Sequence, residues 1–98
     1  MSVIVEFSIF PMDKGESVSP YVARAVKILE QSGLAHQTGP MSSCIEGEWD
    51  EVMGVVTQCY KALEHDCHRI LLYLRADSRK DRQNGMQAKL ESVREKME

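Results

Sequence analysis

The chain has 98 residues, 43% of them apolar and 28% charged, with a formal net charge of -3. That is room for one domain over residues 1–98 with a thin core, about one sheet packed on a layer of helices. The mild acidity offers no basic patch to nucleic acid or anionic lipid, and no apolar run approaches the roughly 20 residues of a membrane-spanning helix. The first ten residues, MSVIVEFSIF, lack the basic segment that opens a signal peptide. Three cysteines, Cys44, Cys59 and Cys67, follow no disulfide spacing. We therefore expect a cytoplasmic protein with reduced thiols and neither nucleic-acid nor membrane partners.

Ser2 to Phe10 alternates, with Val3, Val5, Phe7 and Ile9 on one face and Ile4, Glu6, Ser8 and Phe10 on the other. Period two with β-branched and aromatic residues predicts a strand, ended by Pro11. After a loop over Met12 to Ser17, Ser19-Pro20 predicts a helix start with serine as cap and proline in the first turn. Val22, Val26 and Leu29 form the apolar stripe, widened by Tyr21, Ala25 and Ile28, and Gly33 is the expected stop. Leu34 to Thr38 and Met41 to Glu46 read as two strands joined by a turn at Gly39-Pro40, or as one kinked strand. Val52, Val55, Val56, Cys59, Tyr60 and Leu63 repeat at helical spacing and predict a helix over Glu48 to Leu63. Arg69 to Asp77 alternates again, and Met86 to Met97 can close the chain as a short helix.

The order β-α-β-β-α-β with a helical tail predicts an α+β fold of the ferredoxin-like type. Right-handed crossovers place two helices on one face of a four-stranded antiparallel sheet. With the first and last strands central or nearly so, the second face carries Ile4, Glu6, Ser8 and Phe10 beside Leu71, Tyr73, Arg75 and Asp77. Such a mixed apolar face marks an interface or a binding surface. Sheets packed face to face in a homo-oligomer bury Ile4, Phe10, Leu71 and Tyr73, and then Glu6 and Arg75 need partners. A salt bridge between those two at a subunit interface and a ligand contact by Glu6 both remain open.

Several chemistries are weighed against ordinary structural roles. His65, Asp66, Cys67 and His68 offer ligand types without a zinc spacing, so no metal site is assigned. No motif pairs a nucleophile with a base. Lys14 and Gly15 in the first loop fit a phosphate cradle less well than a solvated turn. The third strand carries no aromatic for base stacking. A small-molecule site on or beside the second face remains, from Glu6, Ser8, Thr38, Ser43, Glu46 and Arg75, with Trp49 nearby. If Ile45 points to the helices, Cys44 and Glu46 lie on that face; if Cys44 points inward, Ser43 and Ile45 do.

VEFSIFPM at the N-terminus, the Ser-Pro-Tyr-Val helix start, TGPMSSCIEGEWDEVM in the middle and LRADSRKDR after the last strand resemble the YkoF-like thiamine-binding family of small stand-alone ferredoxin-like domains. The resemblance covers nearly the whole chain, and Ile45 to Met53 is its most specific part. It implies a homo-oligomer, typically a tetramer built as a dimer of sheet-packed dimers. It also implies a site for thiamine or its hydroxymethylpyrimidine part, with no catalysis and no cofactor. Glu6, Ser8, Ile45-Glu46-Gly47 and Trp49 match the family pattern, and Ser43 stands where relatives carry serine or threonine. Asp77, Arg79 and Lys80 match a charged pattern, whereas Asp81 replaces a common glycine. On this resemblance Glu46 or Glu6, with Ser43 and Ser8, reads the pyrimidine edge, and Tyr73, Phe10 or Trp49 supplies flat wall. A small hydrolase or phosphatase in the same pocket and a purely structural oligomer are the alternatives.

Overall fold

The computed structural model describes residues 2–81 and 83–97. Its elements run β1 (Ser2–Pro11), α1 (Ser19–Gln31), β2 (Ala35–Thr38), β3 (Ser43–Gly47), α2 (Trp49–Glu64), β4 (Ile70–Arg79) and α3 (Gly85–Met97). The sheet is antiparallel with the order β2-β3-β1-β4, the ferredoxin-like arrangement. Of the two chain readings around Gly39-Pro40, two strands are found. The turn closes by the Gly39 N–H donating to the Ser42 carbonyl at 2.8 Å.

β1 carries the core by strict alternation. Val3, Val5, Phe7 and Ile9 are buried under the helices, and their neighbours are half-exposed on the other face. They meet Ala25 and Leu29 of α1, Ile45 of β3, and Val52, Val55, Val56, Cys59 and Leu63 of α2. Val5 pairs with Ile45 on one side and Ala76 on the other. That register turns Ile45 to the helices and places Cys44 and Glu46 on the second face.

Three expectations need correction. β4 is an edge strand; β1 and β3 are the central pair. The lateral match foreseen between the first and last strands still holds, with Glu6 opposite Arg75 and Ser8 opposite Tyr73. Ser19 does not cap α1. Val18 holds the cap position, its carbonyl accepts the N–H groups of Tyr21 and Val22, and Ser19-Pro20 form the first turn. Finally, the stripe of α1 is centred on Ala25 and Leu29, while Val22 and Val26 stay half-exposed at its margin. Gly33 follows the helix end with φ +78°, the left-handed conformation that glycine adopts without a Cβ clash.

Polar ties hold the connections. The Asp13 carboxylate accepts the His68 and Arg69 N–H groups at 2.9 and 3.2 Å, and the Met12 N–H donates to the Arg69 carbonyl. The loop after β1 is thereby fastened to the entry of β4. Arg24 of α1 grips Asp66 with two guanidinium nitrogens, each at 2.8 Å, and also donates to the Ala62 carbonyl. This fork-to-fork pair joins α1 to the end of α2. It holds the Asp66 carboxyl far below its ordinary value of 3.8.

Two outcomes follow from this packing. Leu29→Ala removes a fully buried side chain between helix and sheet; urea denaturation is expected to show a loss of about 2–5 kcal/mol. Because Asp66 is depressed in the folded state, its contribution is present above its ordinary value and is lost as pH falls through the folded value. Asp66→Asn is therefore expected to lower the thermal midpoint at neutral pH and to flatten its decline below pH 3.8.

Candidate functional site

Unequal strand pairing creates an apolar cavity. β1 pairs with β4 from Ser2 to Pro11 but with β3 only from Val3 to Phe7. Beyond Phe7, the β2–β3 turn diverges from β1 and a notch opens in the sheet. Its apolar wall comes from Phe7, Ile9 and Phe10 of β1 and from Val22, Ala25, Val26 and Leu29 of α1. Thr38, Ser42, Ser43 and Ser8 supply hydroxyls. The volume is about 220 Å³, well above the roughly 10–15 Å³ that admits one water. Val22 and Val26 stay half-exposed because no strand lies beneath them. An apolar helix stripe wider than the core requires was the sequence signal for this wall.

The expected site residues divide among several places. Ser43, opposite Phe7, and Thr38, opposite Ser43, are turned toward the helix side of the notch, with their hydroxyl oxygens 3.4 Å apart. Ser8 borders the notch from the other face of the sheet. Glu6, one alternation from Ser8, accepts the Ser42 hydroxyl at 3.1 Å and pairs with Arg75 at 2.9 Å. The Glu6–Arg75 pair therefore closes laterally within one chain. Both partners reach solvent, so it contributes little to stability, and the second Glu6 oxygen ties Ser42 of the notch wall to this pair.

Glu46 lies elsewhere. It is 6% exposed, and its two oxygens accept the Gly85 and Met86 N–H groups at 2.6 and 3.3 Å. It anchors the start of α3 and borders a second, polar cavity of about 360 Å³ with Ala35, Gln37, Leu90 and Arg94. Trp49 opens α2, exposed, and lines neither cavity. Of the face residues expected at an interface, Tyr73 and Leu71 are exposed beside half-exposed Ile4 and Phe10.

The thiols are unsuited to nucleophilic work. Burial pushes Cys59 up to about 11, and its Sγ lies 3.6 Å from the Ala25 carbonyl. Cys67 is raised by burial and then by Asp66. Cys44 is raised by burial and then by Glu6, its cross-strand neighbour. A raised thiol is a poor nucleophile at neutral pH. Beside the first loop, Asp13 accepts the N–H groups of residues 68 and 69, a role the sequence did not signal. Among the described residues, no group of three or more His, Cys, Asp and Glu side chains could hold a metal ion. None of the described helices is long and apolar enough to cross a membrane.

A ferredoxin-like α+β chain with a hydroxyl-rimmed notch at the edge of its central strand pair defines the class. Residues 5–94 match the model of the thiamine-binding protein family, and the chain belongs to that family. The UPF0045 protein MJ1052 of Methanocaldococcus jannaschii is 33% identical over 95% of this chain and 93% of its own. Its crystal structure superposes with a TM-score of 0.86, covering 94% of this chain and 95% of that one. The UPF0045 protein sll0230 of Synechocystis is 38% identical over 95% of this chain and 78% of its own. A Thermotoga maritima protein with a provisional thiamine biosynthesis/salvage assignment shares the fold, with a TM-score of 0.83 at 22% identity over 95% of this chain and 99% of that one.

The Cys44 environment is open to direct measurement. Iodoacetamide at neutral pH is expected to label Cys44 slowly, and Glu6→Gln to accelerate the reaction by removing the adjacent negative charge. Mass-spectrometric timing of the adduct reads both rates.

Proposed function

We propose that this chain is a single thiamine-binding-type domain that holds thiamine, or its hydroxymethylpyrimidine part, in the notch between β1, the β2–β3 turn and α1. The observation that carries the reading is the pairing of an apolar notch with four hydroxyls and a carboxylate at its rim. The pyrimidine ring enters between Phe7 and Ile9 of β1 and the valines of α1. Ser8, Thr38 and Ser43 exchange hydrogen bonds with its polar edge. Glu6, reached through Ser42, sits where the thiazolium cation emerges, and a carboxylate there favours a permanent cation. Family membership supports this ligand class.

The same reading makes the protein a cytoplasmic homo-oligomer, a dimer of dimers. Ile4, Phe10, Leu71 and Tyr73 meet a second copy's sheet, and Arg75 enters that contact already paired with Glu6. Burying a paired charge avoids most of the penalty of an isolated one.

Calorimetric titration with thiamine and with hydroxymethylpyrimidine tests the ligand, and native mass spectrometry tests the assembly. Saturable heat is expected, weakened about threefold to tenfold by Ser43→Ala or Thr38→Val. Absence of heat at millimolar concentrations of both ligands, with the fold intact, overturns the ligand assignment. A monomer mass overturns the assembly.

A further inference from the structure

α3 is held differently from the other helices. Gly85 is its buried residue, whereas Leu90, Val93 and Met97 are 44%, 58% and 79% exposed. Its apolar stripe therefore contributes little to docking. A helix of 13 residues is marginal by itself in water, so its polar contacts decide whether it stays seated. They concentrate at its first turns, where Glu46 takes the Gly85 and Met86 N–H groups and Lys89 pairs with Asp77 at 2.9 Å. Glu46 and Asp77 flank Ile4 on neighbouring strands, so both ties meet at one end of the second face. Farther along, the polar cavity lies between Leu90, Glu91 and Arg94 of α3 and Ala35 and Gln37 of β2. The approach to the helix contains two non-glycine residues in the left-handed region, Asp81 at φ 62° and Asn84 at φ 52°, a conformation sparsely populated by L-residues.

We propose that α3 is a latched lid over this second cavity, that Glu46 is the latch, and that a planar cation bearing two adjacent N–H donors, of the amidinium class, releases it. The carboxylate now receives two neighbouring N–H groups from neutral amides. An amidinium presents the same paired donors with a positive charge, and charge-assisted bidentate hydrogen bonds are the stronger kind. Glu91 and Arg94 on the cavity wall carry opposite charges and largely offset each other toward a cation. Release frees the first turn of α3, the helix swings away from the sheet at Asn84, and Glu46 becomes accessible. This site is separate from the notch, so its fate is independent of thiamine binding there.

Amide exchange followed by NMR on the whole protein tests the lid. Glu46→Gln, which keeps one acceptor oxygen but removes the charge, is expected to speed exchange across α3 by about tenfold or more while β1 and α2 keep their protection. Glu46→Asp, which keeps the charge but shortens the reach, is expected to give an intermediate rate. Titration with acetamidinium is expected to shift the Gly85 and Met86 amides and to accelerate α3 exchange in the parent protein but not in Glu46→Gln. Unchanged α3 exchange in Glu46→Gln, or equal acceleration in β1 and α2, overturns the latch. Acetamidinium leaving Gly85 and Met86 unmoved overturns the proposed ligand class.

Discussion

β1 is bonded along its whole length to β4 but along only half of it to β3. The notch is arranged around this inequality. Where both neighbours are present, alternation yields a sealed core face and a second face of mixed character. Where β3 has departed, α1 loses the sheet beneath its margin and two valines line a cavity instead of a core. The hydroxyls at that rim come from the diverging turn, because a hairpin leaving the sheet must carry polar residues past its edge. A packing discontinuity and a binding notch are here the same object.

Carboxylates carry much of the long-range order. Asp13 fastens a loop to the entry of β4, Asp66 joins two helices, Glu6 bridges turn and edge strand, and Glu46 seats α3. Each accepts hydrogen bonds from groups distant in the chain. A domain this small gains little from core area alone. Directed polar contacts at the periphery therefore determine which connections are rigid and which can open.

The period-two alternation of β1 and β4 and the helical spacing of α2 were legible from residues alone, and with them the layer order of the fold. The parity of β3 was not, because Ser43-Cys44-Ile45-Glu46 reads equally well with either face inward. Only pairing to β1 decides it. The candidate residues were harder to group. Glu46 finds its partner 39 positions away and Asp13 finds His68 55 away, and no local pattern encodes such separations. Thr38 and Ser43 were expected only as two of several polar groups on or beside the second face, and their hydroxyls lie 3.4 Å apart. Their joint orientation toward α1 emerged only once the edge of the sheet was placed. The excess width of the α1 stripe was visible in Val22 and Val26 but resembled ordinary core.

The edge position of β4 has a consequence for handling the protein. Ile70 to Leu74 forms an apolar run on an outer strand, with Leu71, Leu72 and Tyr73 all exposed. Unpaired edges of that composition template strand addition by other chains. Relief comes only farther along, at Arg75, Asp77 and Arg79, whose charges disfavour indiscriminate pairing. The two ends of one strand thus pull colloidal behaviour in opposite directions. Salt that screens the charged end leaves the apolar end untouched, so high ionic strength favours self-association over solubility.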